Sequence, residues 1–325
     1  MGVRSYGWVA LLCAGFTSVG GTEGLCQGYP DKPIRMIVPF PPSSGSDIVA
    51  RLVALTLSER LGQSVVVDDR PGAGGTIGAE LAAKAAPDGY TLLIISTSHT
   101  VNVSLYKKLQ YDMVRDFSPI VLVASAANML SVNLAVPATS VKDLMALAKA
   151  RPGQLNFASS GIGSSSHLAG ELFRSMAGID LVHVPYKGSG PALVGLLAGQ
   201  VQIAFFSIPS TLPKVKAGKL RALAIGSAQR SQLLSDLPTV AEAGVPNYDA
   251  GTWYGILAPA RTSRAIVDRL NKEVNQGLRT AEIRERLLSQ GAEPLSSTPE
   301  QFAAHIKAEI GKYAKIVKAI GAQIE

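Results

Sequence analysis

The chain holds very little that can cross-link, ligate a metal or coat a polyanion. Only two of its 325 residues are cysteines, Cys13 and Cys26, and both lie in the first 28. The body that follows can therefore close no internal disulfide. The four histidines, His99, His167, His183 and His305, include no pair at ligand spacing and have no cysteine cluster beside them, so neither a metal site nor a cofactor is expected. Aromatic residues make up only 6% and charged residues 17%. The formal charge is +7, yet the lysines and arginines are scattered rather than gathered in runs interleaved with aromatics, which excludes a nucleic-acid footprint. A basic surface of this kind still draws small organic acids. No apolar run is long enough to span a bilayer. At 47% hydrophobic residues the composition is that of a well-buried globular protein, large enough for one big or two medium domains.

The first 28 residues differ from the rest. Arg4 gives a minimal positive start, an apolar stretch follows over 8–19, and small residues come next at Gly20, Gly21, Thr22 and Gly24. This is the pattern of a secretory signal peptide over residues 1–28, cut after Gly24 or Gly28. Cys13 leaves with it. Cys26 stands near the cut, but Glu23-Gly24-Leu25 is a poor approach to a lipidation site, so the reading is a periplasmic protein without a lipid anchor.

Beyond the leader, short apolar runs at 34–38, 65–67, 91–96, 120–124, 130–136, 155–158, 181–184, 201–206, 220–225 and 254–258 alternate with segments of helical periodicity, such as Ile48, Leu52, Leu55 and Leu61. That alternation predicts α/β layers with helices on both faces of a mostly parallel sheet. The C-terminal third reads as helices over 263–280, 283–290 and 299–320, the last opened by Thr298 with Pro299 at its first position. No flexible linker interrupts the chain, so two lobes would be joined by strands passing between them.

Two strand-to-helix loops carry the chemistry. The first is Phe40-Pro41-Pro42-Ser43-Ser44-Gly45-Ser46-Asp47; the second is Ser159-Ser160-Gly161-Ile162-Gly163-Ser164-Ser165-Ser166-His167. Helix N-termini present unpaired N–H groups and partial positive charge, so two of them on opposite lobes suit one acidic ligand. In the first loop the prolines stiffen the approach and Asp47 can cap the helix. The second lacks the third glycine of a dinucleotide fingerprint, the lysine of a phosphate-binding loop and the order of a nucleophile elbow. Ser164 and His167 sit one turn apart, which leaves a serine hydrolase as a remote alternative, although no acid is placed to orient His167. A third glycine-rich stretch, Arg70-Pro71-Gly72-Ala73-Gly74-Gly75-Thr76-Ile77-Gly78, reads equally as an anion loop or as a tight turn. Trp253 and Tyr254 read as cleft lining, core or hinge packing.

The mature chain resembles the substrate-binding proteins of tripartite tricarboxylate transporters, the Bug-type family. The marks are Tyr29-Pro30-Asp31-Lys32-Pro33-Ile34-Arg35, Val38-Pro39-Phe40 with Pro42 and Asp47, and Arg70-Pro71-Gly72-Ala73-Gly74-Gly75. They continue with Ala86-Pro87-Asp88-Gly89-Tyr90, the second loop with His167-Leu168-Ala169-Gly170, His183-Val184-Pro185-Tyr186-Lys187-Gly188, Leu237-Pro238-Thr239-Val240, and Trp253-Tyr254-Gly255. The resemblance implies a two-lobed periplasmic-binding-protein (Venus flytrap) fold, each lobe a mixed or parallel sheet flanked by helices. It implies lobe 1 from 29–127 plus 249–325, lobe 2 from 128–248, and a ligand cleft between them. It further implies capture of a small carboxylate, a di- or tricarboxylate or an aromatic acid, for membrane transporter subunits by a monomer. A receptor that presents its ligand to a sensor protein is the second reading. The ligand residues would be Phe40, Ser43, Ser44, Asp47, Ser159, Ser160, Gly163, Ser164, Ser165 and Phe206, with Thr97 and Ser98 at a strand end; no catalytic residue is implied.

The chain departs from the family pattern at several points. Ser43-Ser44 replaces the usual Gly-Gly, which strains the loop if those positions need positive φ. Gln202 and Phe206-Ser207 stand where Asp and Asp-Asn are frequent, which disfavours a ligand ammonium and offers an apolar wall. Gly195, where Asp is frequent, reads as a surface change.

Overall fold

The computed structural model describes residues 1–3, 28–231, 234–321 and 323. The leader expected over 1–28, with Cys13 and Cys26, falls almost wholly outside the described residues.

Two sheets account for the architecture. The six-stranded sheet has the order β11-β4-β10-β3-β1-β2 and the five-stranded sheet the order β7-β6-β8-β5-β9. In the first, β1 (Ile34–Val38) lies parallel to β2 (Val65–Asp69) and β3 (Thr91–Ser96), while β10 (Thr252–Pro259) runs antiparallel to both β3 and β4 (Phe117–Ala126). A short β11 (Glu293–Pro294), which the hydrophobic pattern does not signal, adds to the far edge of β4. In the second, β6 (Asn156–Ser159) is parallel to β7 (Val182–Pro185) and β8 (Ile203–Ser207), and β5 (Asn128–Asn133) is antiparallel to β8 and β9 (Leu220–Ile225). Both sheets are mixed rather than mostly parallel because β5 and β10 are each entered directly from the other lobe. Ala127 alone separates β4 from β5, and the return from β9 ends on β10. The lobes are joined by backbone, not by a tether.

The central strands are apolar on both faces because helices cover both. Ile34, Met36, Ile37, Leu92, Leu93, Ile94 and Ile95 are all fully buried. The covering helices start and stop on local signals. Helix α1 (Gly45–Leu61) is capped by Ser44, whose Oγ accepts from Asp47 N, and ends at Gly62 in the left-handed region (φ 68). Helix α5 (Ser165–Ala177) repeats the device with Ser164 and Gly178. Between them come α2 (Thr76–Ala83), α3 (Thr97–Leu105) and α4 (Val141–Ala150); after them come α6 (Ser189–Leu197), α7 (Ile208–Lys216), α8 (Arg264–Leu278) and α9 (Ala281–Ser289). The last helix, α10 (Pro299–Ile320), carries a full capping box between Thr298 and Gln301 and packs Tyr313 and Val317 against Val101 and Leu105 of α3 and Leu168 of α5. One C-terminal helix thus braces both lobes. Among the described residues no helix is long and apolar enough to cross a membrane.

Candidate functional site

Strands β1, β3, β6, β7 and β8 each end where a helix begins, and all five of those helix starts face one cavity between the lobes. Its lining includes Ser44, Gly45 and Ser46 at the head of α1, Ser96 and Ser98 at α3, and Ser165 and Ser166 at α5. Ser189 at α6 and Ser207 and Ser210 at α7 complete the ring, with Thr252 and Tyr254 from β10 and Phe40, Pro41, Ser160 and Phe206 as further walls. Ligands of open α/β sheets sit at this place, outside the carboxyl ends of the strands. The cavity measures about 50 Å³, and among the described residues no charged side chain lines it. Its positive potential comes from helix termini and its donors are hydroxyls and first-turn N–H groups. Such a surface holds an anion without a cationic partner.

The lobes touch around the cavity. Ser165 N donates to Ser98 Oγ across the cleft at 3.0 Å. Tyr254 lies under the start of α1, 3% exposed, and its hydroxyl reaches Ser207 of the other lobe; burial pushes that phenol up to about 12. Gly45 has no room for a side chain, since a Cβ there would stand 2.2 Å from Tyr254 Oη and 2.8 Å from Ser207 Oγ.

The residues singled out in the sequence divide into two groups. Phe40, Ser44, Ser98, Ser160, Ser165 and Phe206 line the cavity. The others lie outside its lining, each held by a partner of its own. Asp47 is turned back into its own loop, accepting from Ser43 N at 2.7 Å and pairing with Arg51 at 2.6 Å. Ser43 is exposed and adopts φ 63, so one of the two serines that replace glycine does occupy the left-handed region. Ser44 does not (φ −70), and it spends its Oγ on the helix cap. Thr97 Oγ1 accepts from Trp253 N at 3.2 Å. Ser159 Oγ lies 2.6 Å from His183 Nε2 and is fully buried. Gly163 (φ 80) is the close approach of the second loop to α3, where a Cβ would meet Leu105 at 2.6 Å.

Ser164 Oγ donates to Gly161 O and accepts from the backbone N–H of His167, not from its ring. The nucleophile and base of a hydrolase are therefore not paired there. Gln202 sits just before β8, its side chain accepting from Asn156 N, while Ser207 faces the cavity. Gly195 is no surface position, since a Cβ on it would stand 2.3 Å from Tyr186 Oη. Trp253 packs against Phe302 and donates to Glu309, leaving Tyr254 as the member of that pair in the cleft. The glycine-rich stretch forms a tight turn, Ala73–Gly75, on the rim.

Gly45, Ser46 and Ser166 of the two loops also line the cavity, as do Ser96, Ser189, Ser207, Ser210 and Thr252, none of which was named as a ligand residue from the sequence. Each lies at a strand end or within the first turn of a helix that follows one, and counting every strand-to-helix junction would have found most of them.

Behind the second loop, His167 and His183 stack at 4.1 Å. Burial pushes both down to about 4, aided by Arg174 for His167 and by His167 for His183. His99, fully buried, is also pushed down to about 4 by burial. A histidine whose folded value lies below its unfolded 6.5 contributes stability that is complete above 6.5 and is lost as pH falls toward 4. For His99 the difference 6.5 − 4 corresponds to about 3 kcal/mol. The melting temperature is expected to fall steeply from pH 6.5 to 4, with a shallower fall in a His99→Gln variant. A flat profile over that window would contradict this account.

The chain is 42% identical to the protein BugT of Bordetella pertussis over 299 residues, 91% of this chain and 92% of BugT. Its structure matches R. palustris Rpa4515, solved with adipate, at a TM-score of 0.89 and 39% identity, covering 91% of this chain and all of that one. It matches MatC of Rhodopseudomonas palustris, solved with bound malate, at 0.84 and 32%, covering 89% of this chain and all of that one. The model of the tripartite tricarboxylate transporter family receptor matches residues 49–322. The chain belongs to this family of receptors.

Proposed function

We propose that the protein is a periplasmic receptor that captures a small carboxylate in the serine-lined cavity and hands it to the membrane subunits of a tripartite transporter. The observation that carries this reading is the convergence of five helix starts on one uncharged cavity. Partial charges and hydroxyls fixed by the fold are ready for an anion, and no carboxylate among the lining residues would pair with a cation. The adipate and malate held by two relatives are acids of this class. In this reading lobe 1 comprises 29–127 plus 249–325, lobe 2 comprises 128–248, and the leader over 1–28 is removed on export. The protein works as a monomer and does no covalent chemistry on its ligand. The acid selects the closed arrangement to the extent that it touches both lobes at once.

A thermal-shift screen of the mature chain tests this, with di- and tricarboxylates, aromatic acids, sugars and amines. An acid present at about 100 times its dissociation constant should add about 2.7 kcal/mol of stability and raise the melting temperature by a few degrees. A shift by a sugar or amine with none by any acid would overturn the reading.

A further inference from the structure

The serine cavity is small. At about 50 Å³ it has room for a few water molecules, or for one carboxylate with little carbon attached. The rest of any larger acid must lie elsewhere, and a second cavity of about 630 Å³ shares Phe40, Pro41 and Ser160 with it. That outer space is walled mainly by apolar groups, among them Pro39, Pro71, Tyr106 and Ile162. Its lining contains a single charged side chain, Lys187. Lys187 is exposed and forms no ion pair among the described residues.

The segment that carries Lys187 is held firmly. Tyr186 N donates to Ser159 O at 3.1 Å, and the Tyr186 ring seats against Gly195, where a Cβ would stand 2.3 Å from its hydroxyl. Gly188 on the other side meets Pro41 of the opposite lobe, where a Cβ would come within 2.9 Å of Cγ. The ammonium is therefore presented from a fixed backbone in an apolar outer cavity that shares three walls with the serine-lined one.

We propose that Lys187 binds the far carboxylate of an elongated α,ω-dicarboxylate whose near carboxylate occupies the serine cavity. The hydrocarbon body then lies over Phe40, Pro41 and Tyr186. This rests on the carboxylate reading above and adds a residue that selects for a second acid group and for chain length. Uncharged Met keeps the length of the Lys stem while removing its charge, and Arg keeps the charge.

Calorimetric titration of the mature wild-type protein, Lys187→Met and Lys187→Arg with straight-chain diacids of four to eight carbons and the matching monoacids decides the matter. Wild type should prefer one diacid to its monoacid by about tenfold or more. Lys187→Met should bind the monoacid as wild type does but lose the diacid preference, and Lys187→Arg should retain it. An unchanged diacid-to-monoacid ratio in Lys187→Met overturns this proposal while leaving the carboxylate reading intact. Binding of none of these acids by wild type, in a protein that binds another class of compound, overturns both.

Discussion

Ser210→Asp is expected to lower affinity for any carboxylate by about 100-fold or more while changing the stability of the ligand-free protein by no more than about 1 kcal/mol. Ser210 stands in the first turn of α7 and lines the cavity, and among the described residues its side chain bonds to Ser207 alone, through the Ser207 backbone oxygen at 2.8 Å and its hydroxyl at 3.3 Å. An acid in the first turn of a helix favours the helix by roughly 0.3–1 kcal/mol, which offsets most of the roughly 1 kcal/mol lost with the bond that Ser210 Oγ donates to Ser207 O. The same carboxylate then faces a ligand anion in a cavity with no side-chain cation to offset it. Two charges about 5 Å apart at an effective dielectric of about 20 repel by roughly 3 kcal/mol, which is more than a factor of 100 in affinity. Ser210→Asn, similar in size and neutral, should stay within a few-fold of wild type. Calorimetric titration of the three proteins with one acid separates charge from shape. If the Asp variant binds as wild type does, Ser210 does not face the bound anion and the convergence of helix starts is not what holds the ligand.

Much of this site was legible in the sequence, and the reasons why the rest was not are physical. The heads of α1 and α5 stand out because Pro, Ser and Gly crowd into eight or nine residues between an apolar run and a helical one. The heads of α6 and α7 obey the same grammar with isolated serines, Ser189, Ser207 and Ser210. Nothing local says that those starts meet the others. Their meeting depends on the sheet order β7-β6-β8, in which the C-terminal ends of three parallel strands lie side by side, and that order is a long-range property. The converse case has a local cause. Ser43, Asp47, Ser159 and Ser164 have the residue types of ligand donors, yet their polar groups are used by a loop bond, an ion pair, a histidine and a helix cap. Serine and aspartate serve capping and ligand binding with the same atoms, so composition cannot separate the two uses. Gly195 was misjudged for a related reason: its role is to leave space for Tyr186, a neighbour that becomes adjacent only when α6 packs back on the sheet.

Gly45 offers the sharpest test of how tightly the lobes must close, because its missing side chain leaves space that both lobes use. Gly45→Ala places a methyl 2.2 Å from Tyr254 Oη and 2.8 Å from Ser207 Oγ. The serine hydroxyl can rotate away. Tyr254 cannot, being buried in the core of its lobe beside Ile256 and Val123. The start of α1 must then shift, disturbing the contact it shares with Tyr254 and Ser207, at the 1–3 kcal/mol typical of overpacking. Most of that cost falls on the closed arrangement, so affinity for the acid should drop by about 10- to 100-fold. Tyr254→Phe alone forfeits one hydrogen bond and should cost about 1 kcal/mol. In Gly45→Ala/Tyr254→Phe the clashing oxygen is gone and the nearest remaining ring atom is Cζ at 3.2 Å, a tight contact that a shift of a few tenths of an ångström relieves. The double variant should therefore bind more tightly than Gly45→Ala, a coupling that a double-mutant cycle measures directly. Small-angle scattering with and without acid gives the structural counterpart: wild type and the double variant compact on binding, and Gly45→Ala compacts less. If Gly45→Ala matches wild type in both measurements, the lobes do not meet through Gly45, Tyr254 and Ser207 in the bound state.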